Sequence, residues 1–423
     1  MKQNAVLFVI EGYNRYSIAA LAGTLEQEMP EIDLLFCKGS HHFAEAVETH
    51  ARAYQQLVVA FSFMSPQLPQ VIKTLDAPTI KPDNVTYVAG GPHPSGDSVG
   101  TLDLGIDVVV TGEGEVAFPA LLRQLFSNES ITEVPGLAYY DNDGKIVRQR
   151  RARWVELDDY PPFSIVHRKL AAIEITRGCP WACSFCQTPF YMGGKMRYRS
   201  VEQIVYWLQQ AKEKADARYA RFISADCFSY GSPNGRTPDL DQVAHLLHEV
   251  SAVMGRENTF FGSFPSEVRP GSVSREGLAL LKKYSANDNI VIGAQSGSLD
   301  MLQRMHRGHS VEDVLETVEL IVAADLRCIV DFIFGLPGET AEDRELTIQL
   351  METLADLGAT INTHFFMPLP GTPLANSVIG IPDPETIYFL ERMTSEKSEL
   401  GRWKGRLKSI AAMQEVVPLM TAG

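Results

Sequence analysis

Three cysteines stand close together in the run Thr176-Arg177-Gly178-Cys179-Pro180-Trp181-Ala182-Cys183-Ser184-Phe185-Cys186. Clustered thiolates are soft ligands that suit zinc or iron–sulfur clusters. Cys179, Cys183 and Cys186, on one loop, can grip three irons of a cubane and leave the fourth without a protein ligand, because no fourth cysteine is near. An open coordination site is what substrate or cofactor chemistry needs. A structural zinc is the competing reading. It would draw its fourth ligand from elsewhere, such as Cys227, His93 or His364. Cys37, Cys227 and Cys328 are scattered, so the six cysteines do not form a disulfide framework.

The elements that must position this loop alternate. Short apolar strands are expected at 4–10, 32–37, 57–63, 85–89 and 108–110, with helices at 16–29, 43–54, 66–75 and 116–126. This pattern predicts a Rossmann-like open parallel sheet whose ligand edge is the carboxyl end of its strands. Gly90-Gly91-Pro92-His93-Pro94 and Gly112-Glu113-Gly114-Glu115 fall at that edge. Asp141-Asn142-Asp143-Gly144 predicts a hairpin turn. A second α/β unit begins near Ala171, with strands at 171–175, 220–224, 259–263, 290–294, 328–334 and 362–367 and helices between them. Six such repeats predict a full or partial TIM-type barrel with its chemistry at the strand ends. The expected organisation is 1–150 for the first domain, 151–168 for a linker, 169–382 for the barrel and 383–423 for a mostly helical extension.

Strand ends of the barrel carry further candidates. Gly335-Leu336-Pro337-Gly338-Glu339-Thr340 is either a strand-to-helix turn or a cofactor loop. Glu267 and Arg269 are either an ion pair or contacts to a cofactor's polar atoms. Asp226 is a similar case, and Cys227 beside it is either a core residue or a catalytic thiol facing substrate. Arg307-Gly308 either anchors a cofactor or forms a surface turn.

The cysteine run resembles the signature of the radical S-adenosylmethionine superfamily, in its Arg-Gly-Cys-Pro lead-in and in Phe185 before the last cysteine. The resemblance implies a [4Fe-4S] cluster on Cys179, Cys183 and Cys186, whose open iron chelates S-adenosyl-L-methionine, and reductive cleavage to a 5′-deoxyadenosyl radical. It implies cofactor contacts for Phe185, Gly335, Pro337, Gly338 and Glu339, while Glu267, Arg269 and Arg307 are expected as cofactor contacts from their places in the barrel. Gly293-Ala294-Gln295-Ser296-Gly297 resembles the family's Gly-x-Glu-Ser-Gly segment, with Gln295 in place of Glu and Ser296 retained. The first domain resembles the cobalamin-binding module found before many such barrels. That implies cobalamin near Tyr13, Asn14, Gly90, Gly91, His93, Gly112 and Glu113. The early loop Glu11–Ser17 lacks the Asp and His of a D-x-H-x-x-G motif, which argues against a histidine below cobalt from that loop.

The resemblance therefore implies a cobalamin-dependent radical enzyme that transfers methyl to an unactivated carbon. A radical rearrangement, cyclisation or oxidation without methyl transfer is the alternative, and a non-catalytic cobalamin or redox sensor a third. Methylthio transfer fits less well, because such enzymes usually carry extra cluster cysteines in the first domain, where only Cys37 is present. The expected partners are a small-molecule substrate and a low-potential electron donor such as flavodoxin or ferredoxin. A net charge of −14 disfavours bulk nucleic acid. The apolar run after Met1 is too short for a signal-peptide core, and no stretch suits a membrane span, so a cytoplasmic location is expected.

Overall fold

The computed structural model describes residues 2–39, 42–76 and 81–420. The chain divides into two compact units, one built on Met1–Ala171 and the other on Ala172–Gln414. Among the described residues no helix is long and apolar enough to cross a membrane.

In the first unit the strands are β1 (Lys2–Ile10), β2 (Asp33–Lys38), β3 (Tyr54–Ser62), β4 (Val85–Gly90), β5 (Val108–Val110), β6 (Leu137–Tyr140) and β7 (Ile146–Arg148). They form one sheet in the order β2-β1-β3-β4-β5-β6-β7. The first five are parallel; β6 and β7, the expected hairpin, add antiparallel at the β5 edge. Ala5–Phe8 and Leu57–Val59 are continuous apolar runs at 1% exposure or less, the composition of strands covered on both faces. The covering helices include α1 (Arg15–Glu28), α2 (Phe43–Ala53), α3 (Leu68–Leu75), the short α4 (Pro92–Gly96) and α5 (Ser98–Asp103), and α6 (Gly114–Phe126). Ile18, Ala22 and Leu25 of α1 join Leu121 and Leu122 of α6 in one core. The chain leaves β1 toward β2 and returns on the other side to β3, so the order reverses between β1 and β3. In such sheets ligands lie at that reversal, outside the strands' carboxyl ends.

Residues 151–168, expected as a linker, pack onto this unit. The Val155 N–H donates to the buried Glu113 carboxylate at 2.8 Å, and Leu157 and Phe163 are buried. His167 Nδ1 lies 2.6 Å from Glu26 Oε1.

The second unit is a barrel region. Its strands are β8 (Ile173–Glu174), β9 (Thr176–Arg177), β10 (Arg197–Tyr198), β11 (Phe222–Ile223), β12 (Asn289–Gln295), β13 (Arg327–Phe334) and β14 (Thr360–Phe365). Parallel pairings run β8 to β11, then Ala220 to Thr259, then Val268 to Ile292, then β12-β13-β14. The strand expected at 259–263 survives only as one isolated pairing, at Thr259: Gly262 turns at φ +68, and Pro265 has no N–H for a ladder. Helices α7 (Thr188–Met192), α8 (Val201–Ala215), α9 (Leu240–Met254), α10 (Arg275–Tyr284), α11 (Leu299–Arg304), α12 (Val311–Ala323) and α13 (Ala341–Asp356) follow, then α14 (Pro384–Ser395) and α15 (Trp403–Met420). Most start on a side-chain cap. Ser200, Ser274 and Ser298 accept from the third helical N–H, and Ser310 and Thr340 form capping boxes with Asp313 and Asp343.

The extension does more than pack outside. Between α14 and α15, Ser398 O accepts from Ile361 N at 2.8 Å and Leu400 N donates to Ile361 O at 3.1 Å. A short stretch thus adds beside β14 in parallel. Glu399, 4% exposed, accepts from Thr363 N at 3.2 Å and from the Thr394 hydroxyl at 3.2 Å, and also from Gly401 N. Glu399→Ala would strip the acceptor from the Thr363 and Gly401 N–H groups, at about 1–3 kcal/mol for each left unmet, while the Thr394 hydroxyl keeps Leu390 O at 2.7 Å. We expect at least ~2 kcal/mol lost from this unit in a urea titration, with Glu399→Gln closer to wild type; equal midpoints for Glu399→Ala and wild type would refute the tie.

Candidate active site

The cysteine loop is closed at its base. β9 and β10 pair antiparallel, Arg177 with Arg197 and Thr176 with Tyr198, so residues 178–196 leave and return at one point. Cys179 N donates to Gly193 O at 3.0 Å. Gly178 sits at φ +91, and an added Cβ would stand 2.4 Å from Lys195 O, so only glycine fits. Inside the loop, Cys186 N donates to Cys183 O at 3.0 Å, and Ser184 N reaches across to Met305 O at 3.1 Å. Phe185, like Ile333 and Leu374, packs against the buried cluster of Met301, Met305, Leu336 and Phe366. Trp181 lies over Gly308, where an added Cβ would meet the ring at 2.5 Å. The Arg269 guanidinium stacks 3.9 Å from the Trp181 ring centroid.

Burial pushes the Cys179 thiol up to about 11 and raises Cys186 as well. As free thiols both stay protonated near neutrality, whereas a coordinating cation takes a thiolate outright. Among the described residues no three His, Cys, Asp or Glu side chains converge on a single metal ion.

Arg307, 8% exposed, joins this loop to the barrel interior. Its Nη1 donates to Cys183 Sγ at 3.4 Å and its Nη2 to Gly293 O at 2.6 Å, while its own carbonyl accepts from Arg269. Glu267 has an exposed side chain with Asp331, Arg307, His364 and Arg269 as its charged neighbours. Burial raises its pKa most, Asp331 adds to the rise, and Arg307, His364 and Arg269 oppose it. These charged side chains are therefore electrostatic neighbours. Asp331 and Asn362 are paired in register on β13 and β14, and Asn362 Nδ2 donates to Asp331 Oδ1 at 2.6 Å. His364, two residues along β14, has Nε2 3.8 Å from Asp331 Oδ1. Arg406 of α15 donates to Asn362 Oδ1 at 2.9 Å, which orients the amide. Asp331, Asn362 and Arg406 were not singled out from sequence, and His364 only as a zinc ligand. The available signal was one charge inside the apolar run Cys328–Phe334.

Two of the other candidates border this group: Cys227 N donates to Glu267 O at 3.2 Å, and Asp226 Oδ1 accepts from Arg269 N at 3.4 Å. Gln295 sits at φ +76 on a bulge in β12, and the Ser296 hydroxyl is 3.2 Å from Thr347 Oγ1. Gly335, Pro337, Gly338 and Glu339 line a cavity of about 550 Å³ with Arg344 and residues 376–383. Burial lifts Glu339 to about 7; Oε2 accepts from Gly335 N at 2.9 Å, and Oε1 has no partner among the described residues. Asp226 and Cys227 present no surface to a substrate, at 1% and 0% exposure. Asp226 accepts from Ser229 and Ser272 at 2.7 Å each, and burial raises Cys227 to about 12.

In the first unit, Asn14 spans the β1/β3 reversal. Its Nδ2 donates to Val9 O at 3.0 Å and Ser62 O at 3.1 Å, and its Oδ1 accepts from Glu11 N at 2.8 Å. Burial, reinforced by Glu11, raises Tyr13 to about 12. Gly90 ends β4, and Gly91 turns at φ +100 against Phe63. The expected loop after it is a short helix, α4, which buries His93 against the Phe63 ring at 5.4 Å. His93 Nδ1 is 2.9 Å from Ser65 Oγ; Nε2 is buried without a partner among the described residues. Gly112 N donates to Ser95 Oγ at 3.0 Å, and the Glu113 carboxylate holds Val155.

Burial lowers His93 from 6.5 to about 4. Between those values the unfolded chain binds a proton that the folded chain refuses, so stability falls as pH falls through the window. We expect a loss on the order of 2 kcal/mol by pH 5 in wild type, and a flatter profile for His93→Gln. Urea midpoints at pH 7.5 and 5.0 read it; parallel profiles would remove His93 as the cause.

Residues 173–351 match the family model described as the Radical SAM superfamily, and residues 13–122 match the B12 binding domain. A protein of Methanocaldococcus jannaschii named as a candidate methylthiotransferase is 28% identical over 295 residues, covering 68% of this chain and 61% of that protein. The tRNA-2-methylthio-N(6)-dimethylallyladenosine synthase of Pelobacter propionicus is 30% identical over 242 residues, covering 56% and 52%. The chain thus spans half to three-fifths of the length of these relatives. Among solved structures, the radical S-adenosylmethionine methyltransferase TsrM of Kitasatospora setae, with cobalamin and a [4Fe-4S] cluster bound, superposes with a TM-score of 0.66 at 16% identity. That match covers 88% of this chain and 74% of TsrM, and is a likeness of fold.

Proposed function

We propose that this chain, which belongs to the radical SAM superfamily and carries a B12-binding domain ahead of its barrel, cleaves S-adenosylmethionine reductively and moves a methyl group by way of cobalamin onto an unactivated carbon of a small molecule. The observation that carries the reading is the closed Cys179–Cys186 loop, joined by Arg307 to the charged barrel interior. When bound, the cofactors supply an electron to break the sulfonium bond, a 5′-deoxyadenosyl radical to take hydrogen, and a methyl carrier.

The chain's own residues would bind and orient. Three thiols with a guanidinium N–H already on one sulfur suit an anionic iron–sulfur cluster. Arg307 Nε, buried without a partner among the described residues, is a further donor there. Phe185 and its apolar neighbours exclude water from one side of the loop. Glu267, Asp331 and His364 offer polar contacts in the interior. For cobalamin, the support is the β1/β3 reversal bridged by Asn14 and the buried, unpartnered Nε2 of His93. A low-potential donor such as flavodoxin or ferredoxin would deliver the electron. Methylthio transfer, the activity in the names of the sequence relatives, fits this chain less well: outside the loop its cysteines are Cys37, Cys227 and Cys328, each buried singly in its own element.

Anaerobic reconstitution with iron, sulfide and hydroxocobalamin tests the reading. We expect four irons and one cobalamin per chain after desalting, and 5′-deoxyadenosine on reduction with dithionite. Cys183→Ser should cut 5′-deoxyadenosine formation at least a hundredfold. With S-adenosylmethionine labelled in its methyl group, label should appear in a product other than methionine. Cluster retention without cobalamin would refute the methyl-transfer route and point to a radical reaction that leaves the methyl group on methionine.

A further inference from the structure

Among the three cysteines, Cys183 differs in two respects. It is the most enclosed, 4% exposed, and a guanidinium reaches its sulfur. Arg307 is held from three sides. Its Nη2 is fixed on Gly293 O, in the segment before the bulge at Gln295. Its backbone carbonyl accepts from Arg269, and Arg269 is stacked on Trp181 of the cysteine loop itself. Its charge lies 5.8 Å from the Phe185 ring centroid. Arg307 thus cannot swing away to solvent, and the loop cannot shift without carrying Trp181 across Gly308. A fixed cation and N–H donor at a cluster thiolate favour the state with one more negative charge. The reduced cluster is that state, so such a contact raises the reduction potential. Burial strengthens the effect, because the low dielectric screens the charge less.

We propose that Arg307 is a positioning residue that acts through the thiolate of Cys183 to hold the cluster's reduction potential higher than the three cysteines alone would set it. The proposal rests on the reading of Cys179, Cys183 and Cys186 as ligands of a [4Fe-4S] cluster. Its consequence is functional. The contact sets how readily a biological donor can reduce the cluster, and it acts on that iron from the side of Cys183 only.

The test is a dithionite titration of the reconstituted full chain, without S-adenosylmethionine, followed by electron paramagnetic resonance of the reduced cluster. Arg307→Met removes charge and donor at similar length. Arg307→Lys keeps the charge but cannot serve Gly293 O and Cys183 Sγ together. We expect the midpoint of Arg307→Met to be more negative than wild type, with Arg307→Lys between them, and all three proteins carrying four irons. A wild-type midpoint in Arg307→Met at full iron content would overturn the proposal while leaving the cluster reading intact. If Arg307→Met fails to hold four irons, Arg307→Lys decides: a wild-type midpoint there overturns the proposal, and a lower one supports it. A wild-type chain that assembles no cluster would overturn both readings at once, and iron analysis separates that case from the others.

Discussion

A loop that carries three cysteines within eight residues must still satisfy its own backbone, and that requirement organises the second unit. The 178–196 loop meets it with the β9–β10 pair at its neck, the Cys179–Gly193 hydrogen bond inside it, and the Ser184–Met305 bond to α11's exit. Each tie lies beside a cysteine or within a few residues of one. The loop is therefore a rigid scaffold, unlike the mobile connection expected of a long surface segment. The price of that rigidity is paid in close approaches, at Gly178 against Lys195 and at Gly308 beneath Trp181.

The interior behind the loop balances charge with few direct ion pairs. Glu267 and Asp331 oppose each other, and Arg269, Arg307 and His364 temper the repulsion. Both arginines already have structural duties, on Trp181, Gly293 and the Arg307 carbonyl. The carboxylates are thus left with polar neighbours more than with cations of their own. Asn362 holds Asp331 from one side, and Arg406 holds Asn362. Such a network is ordered before any ligand arrives, and preorganised polar groups in a closed interior lose little on binding.

Much of this was legible in the sequence where the signal is local. The helices α1, α2 and α6 begin and end within two residues of their expected bounds, and the cysteine spacing pointed to the loop. What escaped was long-range. Arg307 reaches a cysteine 124 positions away, and Arg406 reaches Asn362 across 44. Neither contact leaves a trace in spacing or propensity. Gly90–Pro94 misled in the other direction: two prolines and two glycines read as an open loop, yet Pro92 suits the first turn of a helix, and α4 buries His93. Asp226 and Cys227 look reactive by type, but hydroxyl partners and apolar neighbours enclose them.

The stretch Ser398–Leu400, laid along β14, has a consequence for how the chain is made. β14 is complete once Phe365 is joined, but the residues that cover its outer edge come later. At ~5–20 residues per second, the ribosome needs roughly 2–7 s to reach Leu400 from there. During that interval the nascent barrel carries an open strand edge, the kind that pairs with other chains. The extension therefore acts as a late-arriving seal, and the exposure it ends is brief only while translation keeps pace.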